Sequence, residues 1–154
     1  MEFLKSKAKG ELMNYLKKVY ACEDFLSDFV VAKGSKKNKI WIMSKELIEF
    51  DYGKIKLDSA GLYFGREDSG KIRLSIEGAQ IVGKSAKKNI VYLDEVELSK
   101  YIKGENVKPS EIIICEEGEY VLVKYKEDVV GCGKFKEGIL INILPKSRKI
   151  TKFN

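Results

Sequence analysis

Four cations, Lys146, Arg148, Lys149 and Lys152, fall within seven residues near the end of the chain. Such side chains neutralise phosphates if the backbone makes them converge, and form a solvated basic tail if it does not. Lys134 and Lys136 come shortly before them, Lys84, Lys87 and Lys88 form a mid-chain group, and Lys33 to Lys39 are a lysine-rich loop. Acid–base chemistry has less to work with. There is no histidine, so the side chain that titrates near neutral pH, and the commonest metal ligand, is missing. Cys22, Cys115 and Cys132 form no Cys-x-x-Cys pair, and Cys115 and Cys132 lie inside apolar runs, where a thiol packs as a small hydrophobe. All three are expected to be reduced and at least partly buried. No catalytic residue, metal site or cofactor is expected.

These groups must be held by something. At 154 residues the chain has enough length for one domain or two small ones. Its net charge of +6, from 29 lysines and arginines against 23 acids, permits nucleic-acid binding without establishing it. There is no run of eighteen apolar residues, and Met1-Glu2-Phe3-Leu4-Lys5 has no signal-peptide apolar core, so a soluble cytoplasmic protein with no membrane contact is expected. Abundant Lys, Glu and Ile, with Gln80 the only glutamine, resemble the composition of a hyperthermophile or an AT-rich genome.

Ser6 is a candidate N-cap, and Leu12, Met13, Leu16, Val19 and Tyr20 recur at helical spacing, predicting an amphipathic helix over about residues 7–20. Phe29 to Ala32 and Ile40 to Met43 read as strands flanking the lysine loop, and Ser44 would cap a short helix containing Leu47 and Ile48. A second hairpin joins Gly61–Arg66 to Lys71–Leu74 through Glu67-Asp68-Ser69-Gly70. Ser75 would cap a two-turn helix through Ile76, Ala79, Gln80 and Val82, with Gly83 as its terminating glycine. The polar segment Lys84–Lys88 then suggests a boundary between residues 1–88 and 89–154.

After it, Ile90-Val91-Tyr92-Leu93 is a short strand stopped by Asp94, a good N-cap, with Glu95 and Glu97 in the first helical turn. The helix should end near Lys103-Gly104. From Ile112 onward, strands are punctuated at Glu116–Gly118, Lys126–Asp128 and Lys136–Gly138, the turn spacing of a small barrel or sandwich.

The strand-Asp-helix start NIVYLDEVELSKYI, the loop KGENVKPSE and the late strand VVGCGKF resemble a PUA domain, the pseudo-barrel of pseudouridine synthases, archaeosine transglycosylases and RNA cytosine-5 methyltransferases. The likeness is closest to the C-terminal PUA-like domain of Sun-type rRNA methyltransferases. IRLSIEGAQIVGKSAKKN resembles the pre-PUA region of those enzymes and of Nip-type ribosome-biogenesis factors. The resemblance implies an α+β chain: a small N-terminal α/β, pre-PUA-like domain, then a PUA-type β pseudo-barrel. It also implies RNA held by the loop Lys103, Gly104, Glu105 and Asn106, with phosphate contacts from Lys134, Lys136, Lys146, Arg148 and Lys149. Lys84, Lys87 and Lys88 are placed to extend that track. Glu105, with Glu111, Glu116 and Glu117 nearby, would narrow it.

The methyltransferase parts are not in this sequence: no glycine-rich nucleotide loop follows a first strand, and no Pro-Cys motif supplies a nucleophile. The reading that follows is a non-catalytic protein that binds rRNA or tRNA in RNA modification or ribosome biogenesis and lends RNA binding in trans to a methyltransferase. Two alternatives stand beside it: an enzyme using carboxylates such as Glu46, Glu49, Asp51 or Asp58, and a protein-interaction scaffold in ribosome assembly. Tyr92, Tyr101, Tyr120 and Tyr125 can offer stacking faces to unpaired bases, although strand packing suits Tyr120 and Tyr125 better. Trp41 is expected in a core or a partner interface.

Overall fold

The computed structural model describes residues 2–34, 36, 38–45 and 61–148. The predicted first helix is α1, Ser6–Tyr20, and the apolar residues that predicted it, Leu12, Met13, Leu16, Val19 and Tyr20, are the ones it buries. Ser6 is not its cap. Lys5 occupies that position with no side-chain hydrogen bond, and Ser6 is the first helical residue. The helix ends at Ala21, whose left-handed backbone (φ 50°) lets its N–H reach the Lys17 carbonyl at 2.9 Å.

Five antiparallel strands form the first sheet in chain order: β1 Glu2–Phe3, β2 Phe29–Lys33, β3 Lys39–Ser44, β4 Leu62–Asp68 and β5 Lys71–Leu74. Both predicted hairpins are present. The second turns through Ser69 (φ 52°) and Gly70 (φ 79°), conformations that suit a tight hairpin. Ser44 is the last residue of β3, and the helix expected around Leu47 and Ile48 lies outside the described residues.

Ser75 caps α2, Ile76–Gly83, its hydroxyl accepting from the Gly78 amide at 2.9 Å. Gly83 does not terminate the helix in a left-handed conformation. It is the last helical residue, followed by Lys84 in a right-handed conformation. The glycine is needed for another reason: a Cβ there would collide with the side chain of Val129, so its absence lets α2 lie against the second sheet.

That sheet contains β6 Ile90–Tyr92, β7 Glu111–Ile113, β8 Tyr120–Tyr125, β9 Asp128–Lys136 and β10 Ile139–Asn142, in the order β10-β9-β8-β6-β7. β6 runs parallel to β8 and antiparallel to β7, and the sheet curls into a half-barrel. With α3, Glu95–Ile102, it encloses Val91, Leu93, Tyr101, Val107, Val121, Val123 and Leu140. The chain is therefore α+β, as expected. Its two sheets meet on common apolar ground: Leu16, Tyr20 and Phe64 share one buried cluster with Ile90, Tyr120, Leu122 and Cys132.

Asn89 joins the parts. It is fully buried, its amide donating to the Val19 carbonyl and its side-chain oxygen accepting from the Glu116 amide at 3.0 Å. Its backbone carbonyl also accepts from Leu122 at 2.8 Å.

Candidate nucleic-acid interface

The loop after α3 is built by its caps. Asp94 accepts from the Glu97 amide and Glu97 from the Asp94 amide, both at 2.8 Å, completing a capping box. At the other end Lys103 is the C-cap and Gly104 takes φ 96°, a conformation open to glycine without steric cost. Asn142, at the end of β10, then grips the loop: its amide donates to the carbonyls of Tyr101 at 2.7 Å and Glu105 at 2.9 Å. Asn106 returns the contact, its side-chain oxygen accepting from the Asn142 backbone at 2.9 Å. Asn106 thus braces the loop, while Lys103 and Glu105 stand exposed on it.

The expected lysines are spread over several surfaces. Lys134 and Lys136 alternate along β9 on one face with Cys132, and Lys136 is exposed. Lys134 lies over the Tyr120 ring, 5.7 Å from its centroid. Lys88 is paired with Glu116 at 3.6 Å, and Lys87 is exposed, its backbone amide bonded to the Tyr20 carbonyl. Lys84 shares a shallow depression with Glu127 and Asp128. Lys146 and Arg148 occupy a 3-10 turn, and Arg148 reaches Glu77 on α2 at 3.2 Å. Lys149 and the carboxylates Glu46, Glu49, Asp51 and Asp58 lie outside the described residues.

Among the tyrosines, Tyr101 offers no stacking face, because it is fully buried with its hydroxyl directed at the Cys132 carbonyl. Tyr120 is also buried, donating to Asp68 at 2.7 Å, as strand packing suggests. Tyr92 and Tyr125 remain half-exposed. Trp41 is half-buried and tilted at 49° against Tyr63, with ring centres 5.3 Å apart.

A further group gathers residues that, apart from Arg148 and the cap Ser75, the sequence did not single out. Tyr63, Arg66 and Arg73 of the first sheet, Ser75 and Glu77 at the start of α2, and Arg148 of the tail line a single cavity of about 300 Å³. Arg66 and Arg73 are cross-strand partners in β4 and β5. Burial pushes the Tyr63 hydroxyl up, and the positive charges of Arg66 and Arg73 pull it back toward its ordinary value. The available signal was compositional: the chain has three arginines, and all three are here.

Nucleophilic chemistry finds no support at the thiols. Burial pushes Cys115 up to about 11 and Cys132 up to about 12, so both stay protonated at neutral pH. Cys22 and Cys132 are buried, Cys115 is half-buried, and all three are free, as expected.

The order of these elements, a short strand, a capped helix, a braced glycine loop and a curled run of strands, agrees with one comparison. Residues 88–150 match the family model of the methyltransferase RsmF PUA domain. The PUA likeness seen in the sequence is borne out over that segment, which is thereby associated with RNA binding in a methyltransferase context. The residues before Lys88 lie outside the PUA match, and no curated protein matches the chain. Among the described residues, no helix is long and apolar enough to cross a membrane.

Proposed function

We propose that this protein is a non-catalytic RNA-binding protein that holds rRNA or tRNA during RNA modification or ribosome biogenesis, supplying RNA binding in trans to a methyltransferase. The PUA match over residues 88–150 carries the reading. Two structural features support it. The glycine loop is held at both ends, by α3 and by Asn142, so it presents a fixed backbone to a ribose or phosphate. The strand β9 presents Lys134, over the Tyr120 ring, and the exposed Lys136, and the tail adds Lys146 and Arg148, the latter paired with Glu77.

The test is binding of rRNA and tRNA fragments over a range of salt concentrations. Affinity falls steeply with salt, and changing Lys146, Arg148 and Lys149 together to alanine lowers the slope by about two to three units. An absence of RNA binding at low salt would refute the reading. Crosslinking followed by sequencing of the bound RNA names the substrate. Recovery from native lysate of a methyltransferase without a PUA domain of its own supports the trans role, and recovery of assembly factors alone counts against it.

A further inference from the structure

Of the 29 cations in this chain 26 are lysines, and the three arginines, two in one hairpin and the third 75 residues further on, line one cavity. Lysine suffices for solubility or for a point charge. Arginine adds a planar fork of donors that matches the oxygens of a phosphate in two places at once. Arg66 and Arg73 also sit directly opposite each other across β4 and β5, an arrangement of like charges that is destabilising in itself.

Nearby carboxylates offset it only in part: Asp68 feels the Arg66 charge, while the cavity lining holds one carboxylate, Glu77, against three arginines. Glu77 pairs with Arg148 at 3.2 Å, Glu67 pairs with Lys33 at 3.2 Å, and Asp68 accepts from the Tyr120 hydroxyl. Arg73 donates to the Ile143 carbonyl at 2.7 Å, a neutral partner that leaves its charge uncompensated. The Arg66 Nε is buried without any hydrogen-bond partner, although buried polar atoms are normally satisfied. Neither Arg66 nor Arg73 has an ion-pair partner among the described residues. The cavity therefore holds an excess of positive charge and an unused donor. Its remaining wall is apolar, from Leu74, Ile143 and Leu144, which suits the sugar or base attached to a phosphate. At about 300 Å³ it is at the small end of ligand sites, on the scale of one nucleotide.

We infer that this cavity is a phosphate site for a single RNA nucleotide, with Arg66 and Arg73 on the phosphate and the apolar wall against its sugar or base. This deepens the RNA-binding reading and rests on it for the source of the nucleotide. The site lies mostly outside the PUA match, on the first sheet and α2, and therefore gives the N-terminal half of the chain a share in recognition. Cys132 lines the cavity and Lys134 follows two residues later on the same face of β9, so one wall of the site is built by the strand that carries these lysines of the PUA segment.

The test uses the full chain and two variants, Arg66→Gln and Arg66→Gln/Arg73→Gln. The first removes a charge whose Nε makes no hydrogen bond, and thermal unfolding verifies that the fold is kept. RNA affinity is measured against salt. Separately, inorganic phosphate and adenosine monophosphate are tested for protecting arginines from phenylglyoxal, with modified residues located by mass spectrometry. The expected result is about tenfold weaker RNA binding for Arg66→Gln, a salt slope lower by about one to two units in the double variant, and protection of Arg66 and Arg73 by inorganic phosphate and by adenosine monophosphate. Normal RNA binding by folded Arg66→Gln and by the double variant overturns the phosphate site and leaves the RNA-binding reading intact. Protection by adenosine monophosphate in a protein that binds no RNA keeps the phosphate chemistry but overturns RNA as its source. Protection by neither, with no RNA binding, removes both.

Discussion

The side-chain amide of Asn89 donates to the carbonyl of Val19, tying the start of the second sheet to the last turn of α1. Because Asn89 is fully buried and its oxygen also satisfies the Glu116 amide, Asn89→Ala leaves the buried Val19 carbonyl and the half-buried Glu116 amide without their partner. A loss of about 2–4 kcal/mol of stability is expected, measured by urea unfolding. A loss below about 1 kcal/mol would mean that water or a neighbour replaces the clamp.

Gly83→Ala ought to stabilise α2 on helix propensity alone, by about 1 kcal/mol. The methyl group would instead strike Val129, so the substitution is expected to cost about 1–3 kcal/mol. The variant Val129→Ala should recover part of that loss in a double-mutant cycle. Additive losses from the two changes would place the cost elsewhere.

Asn142→Ala removes the donor shared by the Tyr101 and Glu105 carbonyls and so releases the loop at Gly104. About 1–2 kcal/mol of stability should be lost, with weaker RNA binding and a salt slope close to that of the parent protein. A clear drop in slope would mean that cations, rather than the loop, had moved.

Alkali should destabilise the fold before it breaks any covalent bond. Burial pushes the Cys132 thiol from 9.0 up to about 12, and burial, followed by the hydrogen bond to Asp68, pushes the Tyr120 hydroxyl from 10.0 up to about 12. The unfolded chain gives up these protons near their ordinary values while the folded chain keeps them, so the unfolded state binds fewer protons in between. Their contribution is full below about pH 9 and is lost as the pH rises toward about 12. Urea midpoints at pH 8, 10 and 11 measure the decline, and Cys132→Ala should remove its earliest part. A flat profile to pH 11 would contradict the burial of both groups.

Local features were readable in the sequence wherever neighbouring residues determine the outcome. The spacing of Leu12, Met13, Leu16, Val19 and Tyr20 is enough to define a buried helical face, and Asp94 with Glu97 defines a helix start. Turns announced themselves through glycines such as Gly70 and Gly138, which take positive φ without steric cost. What could not be read depends on distant partners. Gly83 looks like a helix terminator until Val129 is beside it, and Tyr101 looks like a stacking ring until β9 covers it. The arginine cavity was hidden for the same reason. Arg66 and Arg73 alternate in an ordinary hairpin, and only the folded tail brings Arg148 to them.

The place of β6 in its sheet has a consequence for the order in which the chain can fold. Ile90 pairs in parallel with Leu122, and these two residues lie on either side of α3 and β7 in sequence. During synthesis β6 emerges well before the strand that will hold it, and until β8 arrives its apolar residues have only β7 for company. Closing so long a loop costs entropy before the pairing returns any, which makes this parallel pairing the natural slow step. A pause in synthesis after β6 has left the ribosome and before β8 has done so would therefore hold the chain with an unpaired apolar strand edge exposed.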